Sequence, residues 1–196
     1  MNIESVCVFC GSAIGTKSVY SEATHVVGRE IAHHKLRLVY GGGRTGLMGL
    51  VADSVLTYGG EVVGIMPKGL VEREIQHTGL TELHIVDTMH ERKAMMATLA
   101  DAFIALPGGF GTYDELMEII TWAQLGIHSK PILIVNIEGF YDPFFQLVEH
   151  GVHEGFIRKI DHQLLRYTDD PSQAIHILQR GPDPDFRPKW MDLSQV

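Results

Sequence analysis

The chain is poor in cysteine, in basic residues and in long apolar runs, and each shortage closes a class of function. Two cysteines among 196 residues cannot make a disulfide framework. Sixteen Lys and Arg against 24 Asp and Glu leave a net charge of −8. That balance argues against nucleic acid or an anionic membrane as a main partner. No apolar run approaches a membrane span, and no basic segment followed by an apolar stretch opens the chain. A cytoplasmic location is therefore expected. The eleven histidines show no HExxH or other ligand spacing, so neither a metal nor a cofactor is expected. Internal repeats, low-complexity segments and linkers are also missing. One domain over residues 1–180 is expected, followed by a loosely ordered, Pro- and Asp-rich tail at 181–196.

The two cysteines stand as Cys7-Val-Phe-Cys10, the spacing of a redox or zinc motif. A redox pair opens a helix, whereas Ser5 to Cys10 reads as a strand. Zinc would need two further ligands at matching spacing. The pair reads as core packing.

An apolar content of 45% suits a soluble globular chain, and the apolar residues are grouped in two periods. Short buried-strand runs fall at about Val6–Cys10, Leu36–Tyr40, Glu61–Met66, Leu83–Val86, Ala102–Leu106, Pro131–Val135 and Leu164–Tyr167. Helical spacing lies between them, as in Val19, Ala23, Val27 and Ile31. Asp170-Pro171 marks a last helix by an N-cap residue with proline at N1. Alternating strands and helices predict an α/β fold, a Rossmann-like doubly wound parallel sheet with helices on both faces.

Three glycine-rich turns follow strands. Gly11 to Ser18 resembles a P-loop, but only three residues separate Gly11 from Gly15, and Lys17 does not follow the second glycine directly. Gly41-Gly42-Gly43-Arg44-Thr45-Gly46 fits the dinucleotide pattern formally. Its acidic partner, Glu61, begins the next strand instead of ending it, which disfavours a nicotinamide dinucleotide. The third turn is Pro107-Gly108-Gly109-Phe110-Gly111-Thr112-Tyr113-Asp114-Glu115, between the run Ala102–Leu106 and a helix carrying Leu116, Ile119, Ile120 and Ala123. A glycine turn from a buried strand into a helix aims backbone N–H groups and a positive dipole end at one point, which suits an anion. Thr112-x-x-Glu115 has two readings. It is the spacing of a capping box, and it is also a phosphate-facing hydroxyl with a carboxylate on the rim.

Pro67 to Leu80 reads as a long, irregular, polar loop carrying Glu72, Arg73, Glu74 and His77, of the kind often used for function. Arg92 and Lys93 fall near the start of a helix, the unfavourable end for a cation unless an anion is near. Carboxyl-end loops of a parallel sheet gather on one edge. Ser12, Gly42, Gly43, Arg92, Lys93 and the Pro107 motif would then form a pocket for a nucleoside monophosphate beside a catalytic acid.

The Pro107-Gly-Gly-x-Gly-Thr-x-x-Glu115 motif, with Arg92-Lys93 and Gly41-Gly-Gly-x-x-Gly-Leu-Met-Gly49, resembles the Lonely Guy family. These are cytokinin riboside 5′-monophosphate phosphoribohydrolases, many of them labelled lysine decarboxylase-like. The likeness runs from about Val6 to Gln179. It implies a Rossmann-like fold, at least a homodimer, and hydrolysis of an N6-substituted AMP, or AMP itself, to free base and ribose 5-phosphate. By the resemblance Gly108, Gly109, Gly111 and Thr112 hold phosphate, and Arg92 and Glu115 are the essential pair. Lys93 neighbours them, and Glu74 and Thr121 are further substrate contacts. The alternative is a non-catalytic binding protein such as the similar molybdenum cofactor carriers; the presence of both Arg92 and Glu115 favours the hydrolase. A lysine decarboxylase proper would need a pyridoxal-phosphate lysine in a supporting setting, and no lysine here has one.

Overall fold

Uninterrupted runs of Val, Ile, Leu, Phe and Ala with no polar face must be covered on both sides, and in a parallel sheet crossover helices do this. The computed structural model describes residues 3–71 and 76–181. In chain order it contains β1 (Ser5–Phe9), α1 (Ser18–His33), β2 (Arg37–Tyr40), α2 (Gly46–Thr57) and β3 (Val62–Pro67). There follow the one-turn helix α3 (Lys68–Val71), β4 (Glu82–Val86), α4 (Met89–Leu99), β5 (Ala102–Ala105) and α5 (Phe110–Gln124). The chain continues with β6 (Ile132–Val135), α6 (Asp142–His153), β7 (Arg166–Thr168) and α7 (Ala174–Gln179). Every strand pairing is parallel, in the order β4-β3-β2-β1-β5-β6-β7. The chain therefore winds outward from β1 to β4, returns to β5 beside β1, and winds outward again to β7. This is the expected doubly wound, Rossmann-like sheet.

Alternation along the strands divides the core in two. Val6, Val8, Cys10, Leu38, Tyr40 and Ile104 pack under α1, α2 and α7. Cys7, Phe9, Val39, Ile65, Phe103 and Ile134 pack under α4, α5 and α6. Each fully buried Leu, Ile or Phe contributes about 1.5–3 kcal/mol by leaving water. Cys7 and Cys10 fall in different halves, both buried and both free. Three residues apart on a strand, they point to opposite faces and cannot meet. Burial pushes the Cys7 thiol well up, and the Glu115 carboxylate adds to the shift. The packing reading of the pair holds.

The differences from the sequence reading are local. The sixth strand starts at Ile132 because Pro131 has no N–H to give the ladder, although its carbonyl accepts from Phe103 N–H. The last strand starts at Arg166, since Lys159–Leu164 coil into a 3₁₀ turn. On either side of residues 72–75 the stretch from Pro67 to Leu80 carries regular structure that the sequence reading did not expect. Pro67 ends β3, α3 follows, and Gln76 forms an antiparallel bridge with Gly43. Glu72, Arg73, Glu74 and the tail from 182 to 196 lie outside the described residues. Asp170 does cap, accepting from Ser172 N–H at 2.9 Å, but the turn it opens at Pro171 is 3₁₀ before α7 begins. Among the described residues no helix is long and apolar enough to cross a membrane.

Asp101 fastens β1 to the turn between α4 and β5 by accepting from the N–H groups of Glu4 and Ser5, at 2.9 and 3.0 Å. Burial works against its charge, but these bonds outweigh it and hold the carboxyl below its ordinary range. A lowered carboxyl pKa stabilises the fold above the unfolded value near 3.8 and ceases to do so as pH falls through the folded one. Asp101→Ala should cost ~1–3 kcal/mol at neutral pH. In urea titrations the gap from the parent should shrink below about pH 4; a gap unchanged at acid pH would refute the assignment.

Candidate active site

Where a doubly wound sheet reverses direction, the loops after neighbouring strands splay apart and leave a crevice. Here the reversal falls between β1 and β5, so the turns after Phe9 and Ala105 form its walls. They are tied together: Gly11 N–H donates to Pro107 O at 3.1 Å, and Met48 N–H donates to Gly11 O at 3.2 Å. Gly108 must be glycine, because a Cβ there would strike the Thr112 side chain and lie 2.9 Å from the Gly11 nitrogen.

Gly109 is the N-cap of α5, and the first helical bond runs from Tyr113 N–H to Gly109 O at 3.0 Å. The N–H groups of Phe110, Gly111 and Thr112 therefore have no intrahelical acceptor and lie at the positive end of the dipole. No acidic residue occupies this first turn. Thr112 sits inside the helix, buried, with its side chain over Gly108. The capping-box reading of Thr112 and Glu115 is thus corrected: neither caps α5, since the cap lies three residues earlier and uses no side chain. A true capping pair stands on α4, where Thr88 Oγ1 accepts from Glu91 N–H and Glu91 Oε2 accepts from Asp87 N–H.

Arg92, one turn into α4, is buried with 6% of its surface exposed. Its Nη2 lies 3.5 Å from Glu115 Oε1, and its Nη1 faces the Met89 sulfur at 3.8 Å. Its Nε is buried with no hydrogen-bond partner. A guanidinium taken out of water with an unfilled donor is costly unless an anion completes its shell. Gly41 is what makes room for it, since a Cβ there would collide with the Arg92 guanidinium. The site is therefore a row of free amides, a hydroxyl, an under-coordinated buried cation and a carboxylate. Such a set suits a phosphate monoester with a reacting carbon beside Glu115.

Known proteins match this chain over most of its length. The family model described as "Possible lysine decarboxylase" covers residues 48–178. A cytokinin riboside 5′-monophosphate phosphoribohydrolase of Oryza sativa subsp. japonica is 53% identical over 78% of this chain; the chain spans 63% of that protein's length. One from Arabidopsis thaliana is 44% identical over 96% of this chain and 86% of its own. One from Rhodococcoides fascians is 51% identical over 79% and 78%. The chain belongs to the Lonely Guy family. Among solved structures, the molybdenum cofactor binding protein of Rippkaea orientalis superposes with a TM-score of 0.70 over 92% of this chain and 98% of that one. The carrier protein of Chlamydomonas reinhardtii gives 0.68 over 91% and 97%. At 16 and 17% identity these two share the fold.

Within this Lonely Guy chain the sequence-derived residues fall into three groups. Gly108, Gly109, Gly111, Thr112, Arg92 and Glu115 converge, with Ser12 exposed on the rim, whereas Gly42 and Gly43 are buried on the β3 and β4 side, Gly42 near Met66 and Leu83 and Gly43 bridged to Gln76. Lys93 is committed elsewhere: its Nζ bridges Asp114 at 3.0 Å and Glu118 at 3.1 Å, fastening α4 to α5. Burial pushes the Lys93 ammonium down, but those two bonds outweigh it and hold it above its usual range. The anions that offset these cations near the start of α4 are thus supplied by α5 itself. Thr121 is not brought to the cradle. It lies about 13 Å along the helix axis from Thr112 at the α-helical rise, exposed, with its hydroxyl donated to Met117 O. Glu74 lies outside the described residues. The sequence reading quoted Gly41 only as part of a motif and gave it no role of its own, although a third glycine beyond the two a turn needs was a signal. It also passed over Asp114 and Glu118, whose signal was their i, i+4 spacing opposite Lys93. Among the described residues no group of three His, Cys, Asp or Glu side chains is placed to hold a metal ion.

The Gly41 contact is separable from the fold, because the atom a Cβ would strike is the far end of a flexible side chain. Gly41→Ala should fold and unfold near the parent temperature yet push the guanidinium away from Glu115. A loss of at least about tenfold in kcat/KM, roughly 1.4 kcal/mol of transition-state stabilisation, is expected. Unchanged kinetics would show that the position of Arg92 is not critical.

Proposed function

We propose that this chain hydrolyses the N-glycosidic bond of a nucleoside 5′-monophosphate, a cytokinin riboside monophosphate or AMP, releasing free base and ribose 5-phosphate. The observation that carries the reading is the buried Arg92 with its orphaned Nε, set against Glu115 at the mouth of the α5 amides. The phosphate binds the N–H groups of Phe110, Gly111 and Thr112 and the Thr112 hydroxyl. Arg92 completes its own hydrogen bonds on the same anion and holds Glu115 in place. Departure of the base leaves an oxocarbenium-like sugar, which the Glu115 carboxylate stabilises while orienting the attacking water. A carrier protein on this fold would need the cradle but not the buried ion pair. Two free thiols kept in the core and a nucleotide substrate suit a cytoplasmic setting.

A homodimer belongs to the same proposal. The sequence puts an apolar excess on α5 in Leu116, Met117, Ile119, Ile120 and Trp122, more than a single buried face requires. Leu116 and Ile119 are spent on the chain's own core, with Ile120 and Trp122 packed against it. What remains exposed is Phe110 at 92%, with Met117, Tyr113 and Met89 of α4. Successive turns of one helix face so composed suit a second copy better than water. Light scattering should give twice the chain mass, and Met117→Asp should lower it; a monomeric parent at micromolar concentration would sink the dimer.

Base release from AMP and N6-isopentenyl-AMP, against adenosine and ATP, tests the activity. Both monophosphates should be cleaved and the other two hardly at all; equal rates on adenosine and AMP would refute the role of the cradle. Glu115→Gln keeps the side chain's shape and an oxygen toward Arg92, and it removes no cap. The protein should fold and bind AMP but turn over at least about a hundredfold more slowly. Near-normal turnover would place the catalytic carboxylate elsewhere.

A further inference from the structure

A cavity of about 300 Å³ opens against the phosphate cradle, where the turn after β1 (Gly11 to Gly15) meets Pro107–Gly109. Its walls are Ile14, Tyr20, Leu47 and Phe140, and its back is the Gly108–Gly109 backbone. Tyr20 and Phe140 meet edge to face at 5.9 Å between ring centres, so two aromatic walls are already braced against each other. Leu47 is buried in the half of the core covered by α1 and α2. Arg92 and Glu115 stand on α4 and α5, which cover the opposite half. The glycine turn lies on the divide and borders both spaces.

This placement constrains what fills the cavity. A nucleotide with its phosphate on the α5 amides and its anomeric carbon at Glu115 extends toward α4, away from Tyr20 and Phe140. On that placement an outer phosphate oxygen is the part of the ligand turned toward the cavity. We propose that the cavity is a subsite for a flat aromatic or branched apolar group esterified to that oxygen, so that the site takes phosphodiesters as well as monoesters. The size suits one ring system, since ligand pockets begin near this volume, and the walls are of the apolar and aromatic kind that bury one. A diester also carries one negative charge fewer than a monoester dianion, which lessens repulsion from Glu115. The inference rests on the phosphate role of the cradle proposed above.

The test uses ligands with no glycosidic bond to cleave: ribose 5-phosphate, its methyl ester and its phenyl ester, titrated by calorimetry into the full chain. The phenyl ester should bind at least about tenfold more tightly than the methyl ester, ~1.4 kcal/mol at 25 °C. Tyr20→Ala should erase that preference without altering the affinity for ribose 5-phosphate. Because Tyr20 also packs on Phe140, Ile14→Asp is the companion variant: Ile14 is 58% exposed, so the change spares the core while placing a charge at the mouth. Equal affinity for the two esters would overturn the subsite, as would a phenyl preference that survives both variants, which would put the ring elsewhere, for instance on Phe110. Failure of ribose 5-phosphate itself to bind would instead overturn the cradle, and the subsite with it.

Discussion

A guanidinium buried between two helices with a donor left unfilled is the constraint on which the rest of this structure turns. Arg92 touches Glu115 only at 3.5 Å, at the edge of a hydrogen bond, and its Nε has no partner. Packing an arginine this way costs free energy that an apolar side chain would not. The fold accommodates it by leaving Gly41 without a Cβ and by fastening α4 to α5 one residue further on, through Lys93 to Asp114 and Glu118. Those two ion pairs cross from α4 to α5 beside the Arg92–Glu115 contact and hold the two helices at the spacing it needs. The neighbouring cation therefore serves the site through geometry.

On the proposed function, the same arrangement would let an acidic chain hold an anion. A net charge of −8 sets a repulsive background for phosphate. The first turn of α5 carries no acid, and the carboxylates of its next turns, Asp114 and Glu118, face Lys93. In the proposed reaction the cradle acts through the amides, the dipole and Arg92, with Glu115 the one carboxylate beside them among the described residues. That charge is tolerable because a developing oxocarbenium ion is positive: the group that weakens binding of the substrate strengthens binding of the transition state.

Much of this was legible in the chain. Breaker-free apolar runs of four to six residues alternating with helical spacing left little but a parallel, doubly wound sheet, and the sheet brought the glycine turns to one edge. The convergence of Arg92 with the Pro107 motif, two segments about twenty residues apart, followed from topology alone. Three things were hidden, each for a physical reason. Thr112-x-x-Glu115 and Thr88-x-x-Glu91 have the same spacing, and only backbone geometry shows which of them caps a helix. A charge at the start of a helix looks the same in sequence whether a ligand or another helix neutralises it, so Lys93 and Arg92 could not be told apart. Apolar residues on α5 reveal their count but not their side: of those left exposed, Met117 belongs to the apolar excess the pattern singled out, whereas Phe110 and Tyr113 do not.

Thr121 shows where reasoning along one chain stops. It belongs to the residues that the resemblance attaches to the substrate, yet in this chain it lies on the outward stripe of α5 with Met117, far along the axis from the amides. A rigid helix cannot bend to bring it back. Either Thr121 has no part in holding the substrate, or the surface it shares with Phe110 and Met117 faces a nucleotide bound by another copy. The second case would give the exposed stripe two uses at once, burying apolar surface and supplying a hydroxyl. It would also explain why Phe110, the most exposed of the large apolar side chains among the described residues, stands at the lip of its own cradle.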